Sequence, residues 1–238
     1  MYRPEPRPPP HDGCDTAGIP DYMAGFYSRI YANPRWAARL DHDLVVRALL
    51  FGQARRLTRA YLDEIPQGAR VWQAAHVYGS QVAQVARRIG PEGFFELTDV
   101  APVQVAHARQ KLAAYAWARV DCCDAAQFAD SAGFDVAGSF FLLHEVPDGK
   151  KRQIVDNLLG HVAAGGKAVF IDYHRPAAWH PARPIFSIVN RALEPFARAL
   201  WENPISHYAT RAGNFVWTQR TFFGGLYQCA VARRKDEA

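Results

Sequence analysis

Val71-Trp72-Gln73-Ala74-Ala75-His76-Val77-Tyr78-Gly79 is the stretch on which the fold turns. It begins as an apolar run of strand length, passes through polar and aromatic residues, and ends on a glycine that opens a helical pattern at residues 80–90. Working outward, apolar runs at 70–75, 94–99, 117–121 and 135–142 are predicted strands, separated by predicted helices at 80–90, 101–113 and 147–164. Such alternation implies an α/β chain whose sheet is mostly parallel and covered by helices on both faces. Ala164-Gly165-Gly166 is expected to end the last of these helices, and the run from Lys167 to Tyr173 supplies a fifth strand. The runs 214–223 and 226–233, joined at Gly224-Gly225, read as a closing antiparallel hairpin.

Upstream, residues 1–19 are rich in Pro and Gly and read as a disordered tail. Residues 20–68 read as a helical lid, broken at Pro34, with one long helix over 36–63 carrying Trp36, Leu40, Leu44, Ala48 and Phe51 on its apolar face. Residues 69–238 form the α/β domain, and 181–201 is expected to be helical but interrupted at Pro184 and Pro195.

The balance of 28 Lys and Arg against 23 Asp and Glu gives a net charge of +5, with the two signs interleaved. Interleaving argues against a nucleic-acid-binding arm, and a mildly basic surface suits an anionic ligand or membrane surface equally. Cys14, Cys122, Cys123 and Cys229 have neither zinc spacing nor the density of a disulfide scaffold, so reduced thiols and a cytoplasmic location are expected. The proline-rich start replaces the apolar core a secretory signal needs, and no run reaches the roughly 18 apolar residues of a bilayer span. Any contact with the inner membrane is expected to be peripheral, with Arg29, Arg35 and Arg39 as candidates to meet anionic lipid.

In an open parallel sheet, ligands bind beyond the carboxyl ends of the strands. That rule selects Gln73 to Gly79, Asp99, Asp124 with Ala125, His144 with Glu145, and Asp172 to His174. Asp99, ending the second strand, is of the type that accepts hydrogen bonds from both hydroxyls of a ribose, and helix capping is the alternative. Asp124-Ala125 is placed to read an adenine amino group, although a loop aspartate has ordinary structural uses too.

Taken together, the Val71–Gly79 run, Asp99, Asp124-Ala125, Phe141-Leu142-Leu143-His144-Glu145 and the closing Thr221-Phe222-Phe223-Gly224-Gly225-Leu226 resemble the successive motifs of class I methyltransferases, specifically the UbiE quinone C-methyltransferase family, over residues 70–233. The resemblance implies S-adenosylmethionine (SAM) as ligand, with Gln73, His76, Tyr78, Gly79, Asp99, Asp124 and Ala125 around it. The first motif departs from that family, which has an acidic residue at the position of Gln73 and a glycine at that of Val77, so only Gly79 of the glycine pair remains. Those departures, with Asp172-Tyr173-His174-Arg175-Pro176, Trp179-His180-Pro181, Leu193-Glu194-Pro195-Phe196 and Phe223-Gly224-Gly225-Leu226-Tyr227-Gln228, are similar to the RquA family of rhodoquinone biosynthesis proteins. That likeness implies conversion of ubiquinone to rhodoquinone, a ring methoxy group being replaced by an amino group, with SAM as amino donor and manganese assisting.

Replacing methoxy by amine is an addition–elimination that needs a base for the ammonium, an electrophile for the ring oxygen and a proton for the leaving group. Tyr78, His144, Asp172 and His174 are candidate catalytic residues, and His144, Asp172 and His174 are of the right type to ligate manganese. Each has an ordinary structural alternative: a core histidine, or an aspartate paired with Arg175. Trp179, Trp201 and Phe196 are candidates for the wall of a quinone pocket or for core packing. Conventional methyl transfer and a catalytically inert quinone-binding protein remain competing readings.

Overall fold

The computed structural model describes residues 41–181 and 196–235. Seven strands form one sheet: β1 (Arg70–Ala74), β2 (Phe94–Asp99), β3 (Ala118–Cys122), β4 (Phe134–Phe140), β5 (Val162–Tyr173), β6 (Phe215–Phe222) and β7 (Tyr227–Arg234). Their order is β3-β2-β1-β4-β5-β7-β6, with β1 to β5 mutually parallel and β7 antiparallel to both neighbours. The expected α/β class, parallel sheet and closing hairpin are therefore present.

Alternation along the strands sends Val71, Leu97, Val169 and Val231 to one face and Trp72, Ala168, Phe170 and Ala230 to the other, so two cores flank the sheet. The first core is covered by α2 (Ala54–Leu62), α3 (Gln81–Ile89) and α4 (Pro102–Leu112), and the second by α5 (Asp148–Gly160). Each covering helix turns an apolar stripe inward, as Val82, Val85, Ala86 and Ile89 do on α3. A short helix, α6 (Ala199–Glu202), sets Leu200 into the second core.

Two element boundaries differ from expectation. The long helix over 36–63 is, within the described residues, two helices, α1 (Asp43–Leu49) and α2, because Phe51 and Gly52 adopt φ of 50° and 78°. Helix α5 stops at Gly160 rather than 164, and β5 starts at Val162 instead of Lys167. Gly165 and Gly166 serve a sheet irregularity, not a helix cap: the β4–β5 register shifts between Phe134 and Val136, and a Cβ on Gly166 would lie 2.9 Å from the Asp135 carbonyl. The expected tail, the Pro34 break and the segment around Pro184 and Pro195 fall outside the described residues.

Helix α2 is fixed to the sheet by Tyr61, which is fully buried and meets Phe140 edge-on at 5.7 Å. Gly138 makes room for it: a Cβ there would lie 2.4 Å from the Val169 carbonyl and 2.7 Å from the Tyr61 hydroxyl. Gly138→Ala is therefore expected to destabilise the fold by about 1–3 kcal/mol. A lower urea midpoint at unchanged m-value would register this, and an unaltered midpoint would reject the packing argument.

Candidate functional site

Strands β1 and β4 are adjacent while their connections leave in opposite directions, which makes their carboxyl ends the topological switch point. A narrow open cleft lies there, lined by Ala75, Asp99, Asp124, Ala125, Leu142 and Glu145, among others. Three acidic residues, Asp99, Asp124 and Glu145, thus line a mostly apolar slot together with Val146 and Ile154. Asp99 is held by two backbone donors, with Oδ2 accepting from His76 N at 2.8 Å and Oδ1 from Ala101 N at 2.8 Å. Burial of this carboxyl, opposed by those hydrogen bonds, pushes its pKa up to about 6. Asp124 accepts from Ala126 N at 2.9 Å and pairs with Lys150 at 2.8 Å, which fixes it at the cleft wall.

The loop from Ala75 to Ser80 touches this cleft at Ala75, while its Val77, Tyr78 and Ser80 line a separate cavity with Asp43 and Arg47. Its entry is strained, since Ala75 takes φ of 70°, as Phe141 does at 56° after β4; non-glycine residues in this region cost on the order of 1–3 kcal/mol each. Gln73 is fully buried beneath the loop: its amide exchanges hydrogen bonds of 3.1 Å with Gln81 and donates to the Ala75 carbonyl at 3.2 Å. A neutral amide pair thus ties β1 to the start of α3.

A polar chain secures the outer side. Lys111 Nζ donates to the Gly79 carbonyl at 2.7 Å and to the Val77 carbonyl at 3.3 Å, contacts His76 Nε2 at 3.0 Å and pairs with Asp41. Burial and the neighbouring Lys111 charge push the His76 imidazole pKa down, which keeps the ring neutral. With Nε2 accepting from Lys111, His76 Nδ1 donates to Gln104 Oε1 at 2.8 Å, and Gln104 Nε2 donates to the Tyr78 hydroxyl at 2.7 Å. Burial raises the Tyr78 pKa, with like charges on Glu145, Asp41 and Asp99 adding to the effect, so the phenol stays protonated near the cleft.

At the end of β5, Asp172 is fully buried and receives three donors: Leu143 N at 2.8 Å, Tyr173 N at 2.8 Å and His144 Nδ1 at 2.9 Å. His144 sits in the short turn Leu143–Glu145, and its Nε2 lies 3.8 Å from Glu145, itself a cleft residue. Tyr173 and Phe141 meet the imidazole edge-on, at centroid distances of 4.7 and 5.8 Å, and Tyr173 stacks on Tyr227 at 5.6 Å. An imidazole oriented by a carboxylate and walled by aromatic rings is suited to move a proton beside a planar substrate.

No protein-family model and no curated protein sequence matches the chain. Solved structures do match it. An O-methyltransferase family protein from Burkholderia thailandensis superposes with a TM-score of 0.64 at 17% identity, over 89% of this chain and 63% of that one, so this chain spans less than two thirds of its length. The N-methyltransferase NodS from Bradyrhizobium japonicum WM9, in complex with S-adenosyl-L-homocysteine, matches with a TM-score of 0.53 at 16% identity, over 88% and 96% of the two chains. A TehB-like SAM-dependent methyltransferase from Corynebacterium glutamicum gives 0.55 at 15% identity, over 85% and 100%. The fold is that of the class I SAM-dependent methyltransferases.

Within this methyltransferase fold the predicted site residues separate into groups. Asp99, Asp124 and Ala125 meet in the cleft, while Gln73, His76 and Gly79 lie behind it in the loop's own bonding. His144 and Asp172 are joined, but His174 is not brought to them. Strand β5 ends at Tyr173, so alternation stops there, and His174 turns to the hairpin, with Nδ1 2.8 Å from the Gly225 carbonyl. Among the described residues no three His, Cys, Asp or Glu side chains are placed to hold a metal ion. The expected manganese ligands His144, Asp172 and His174 do not fit a protein-held ion, because Asp172 is filled by donors and His174 is engaged elsewhere. Of the expected quinone wall, Trp179 is 75% exposed, Phe196 lies by Lys151, and Trp201 borders a separate cleft beside His174.

Sequence reasoning missed Gln104, Lys111, Asp41, Asp43 and the aromatic ring around His144. A signal was available for two of these, since Gln104, His107 and Lys111 recur at helical spacing on α4 just after Asp99.

Proposed function

We propose that the switch-point cleft binds SAM, with its ribose at Asp99 and its adenine beside Asp124 and Ala125, and that the chain replaces a ubiquinone methoxy group by the amino group of SAM, yielding rhodoquinone. The observation that carries this reading is the His144–Asp172 pair, set in aromatic rings beside the cleft. The resemblance to the RquA family supplies the substrate. On this reading the quinone ring lies against Tyr173 and Phe141. The amine lone pair adds to the ring carbon bearing methoxy, charge moves onto the ring oxygen, and the C–O bond to methoxy then breaks. His144 takes the ammonium proton and returns it to the departing methoxide, so that methanol leaves and the exchange is neutral in protons. Release of the free amino group is then a redox-neutral elimination. A proton leaves the donor's β-carbon for His144, and a double bond forms between the α- and β-carbons as the N–Cα bond breaks with its electron pair on nitrogen. His144 returns the proton to that nitrogen, and the donor departs as the unsaturated acid. Tyr78, protonated near Glu145, is a donor for the developing oxyanion. These steps use this chain's own residues, whose donor-filled Asp172 and hairpin-bound His174 do not fit a protein-held manganese ion.

Methyl transfer by the same cleft is the competing reading, which the methyltransferase fold favours. Incubation with a ubiquinone analogue and SAM labelled with heavy nitrogen at the amine or heavy carbon at the methyl separates the two. Loss of methoxy with gain of heavy nitrogen is expected; a product carrying the labelled methyl group overturns amino transfer.

A further inference from the structure

Away from the switch-point cleft, a cavity of about 710 Å³ opens between α1, α2 and α3, and the two share no lining residue. Its volume is that of a small-molecule site. Four arginines line it, Arg47 from α1, Arg55 and Arg59 from α2 and Arg88 from α3, against two aspartates, Asp43 and Asp63. Asp43 is turned to Ser80, whose N donates to it at 2.8 Å and whose hydroxyl lies 2.9 and 3.0 Å from its two oxygens. Arg88 donates its Nε–H to the Ile65 carbonyl at 2.8 Å. Among the described residues, Arg47, Arg55 and Arg59 have no carboxylate within ion-pair distance. Arg55 and Arg59 stand four positions apart on one helix, where like charges repel. Apolar side chains share the lining, among them Val46, Leu50, Leu62 and Phe140. Helix α1 buries none of its residues, and Leu44, which also lines the cavity, is 67% exposed.

We propose that this cavity is a second binding site, for an amphiphile with a phosphate-type anionic head and an aliphatic chain. Guanidinium groups present planar forks of donors that match phosphate oxygens, and an anion shared by Arg55 and Arg59 replaces their repulsion by attraction. A concave site lined by an excess of one charge over apolar walls concentrates its field on such a head. The apolar lining supplies the second half of the recognition. Inorganic phosphate leaves Leu44, Val46 and Phe140 in water, whereas an aliphatic chain covers them and removes that apolar surface from solvent. A cationic amphiphile gains the same apolar contact but meets like charge. The site stands whatever reaction the switch-point cleft carries out.

Calorimetry on the full-length protein tests the proposal with decyl phosphate, decyltrimethylammonium and inorganic phosphate, each surfactant kept below its micellar concentration. Decyl phosphate is expected to bind at least about tenfold more tightly than either of the others. Arg55→Gln combined with Arg59→Gln is expected to weaken decyl phosphate about tenfold, the size of one charge-assisted hydrogen bond. Equal affinity for the two decyl ligands, no gain of decyl over inorganic phosphate, or an unchanged affinity in the folded arginine variant overturns the proposal. Should that variant not fold, the comparison of ligands on the wild type decides. Co-sedimentation with phosphatidylglycerol vesicles separates the sources of the head group. Retention that the arginine variant loses assigns it to a bilayer lipid, and no retention by a protein that binds decyl phosphate assigns it to a free amphiphile.

Discussion

Asp172→Asn is expected to lower turnover by about 10²–10⁴-fold while leaving SAM affinity within about threefold. Three donors converge on this buried carboxylate, from Leu143 N, Tyr173 N and His144 Nδ1. An amide has only one accepting oxygen, so its NH₂ group would confront at least one of those donors. The imidazole would then lose the partner that keeps its proton on Nδ1 and its Nε2 toward the cleft side. Asp172 acts through His144 and is a positioning residue; His144→Gln is expected to cost a comparable factor. Because the two work as one unit, the double variant should be no slower than about the slower single variant. Additive losses, or wild-type turnover in folded Asp172→Asn, would reject the dyad. Thermal unfolding of each variant separates lost catalysis from lost fold, since an unpaired donor buried here costs on the order of 1–3 kcal/mol.

Asp99 carries the second large effect. Asp99→Ala removes the proposed partner of the ribose hydroxyls and strands His76 N and Ala101 N, so SAM affinity should fall by roughly 10²–10³-fold. The loss exceeds that of a simple ligand contact because His76 N lies in the cofactor loop. Its pH dependence gives a second handle. Burial lifts the Asp99 pKa to about 6, above the ordinary value of about 3.9 for an unfolded chain. Between these values the folded state holds the extra proton, so this group favours folding at low pH, and that contribution fades as pH rises through about 4 to 6. Ligand affinity runs the other way, because hydroxyl donors need the ionised carboxylate. Binding should weaken below about pH 6, approaching tenfold per pH unit, and Asp99→Asn should remove the inflection. A flat profile from pH 5 to 8 in the wild type would show that no ligand group binds to this carboxylate.

Strand and helix identities were legible because burial has a simple period: Val71, Leu97 and Val169 had to face one core, and Trp72 and Phe170 the other. The ligand edge was legible as well, since polar residues such as Asp99 and Asp124 interrupt apolar runs at strand ends, and topology alone makes that edge a crevice. Boundaries were less so. Gly165-Gly166 suits a helix cap and a sheet irregularity equally, and only pairing with β4 decides between them.

What the sequence by itself determined is the α/β class, the closing hairpin and the short roster of residues at the strand ends. Only the tertiary structure decided how that roster divides. It joined His144 to Asp172 across 28 positions of chain, sent His174 to the hairpin, and placed Asp41 on a loop 38 positions away. The physical reason is that local periodicity reports which face of an element is buried, while hydrogen bonds between side chains depend on where the chain returns in space. A carboxylate reads the same in sequence whether it awaits a ligand or, as Asp43 does at Ser80, already satisfies the chain's own backbone donors.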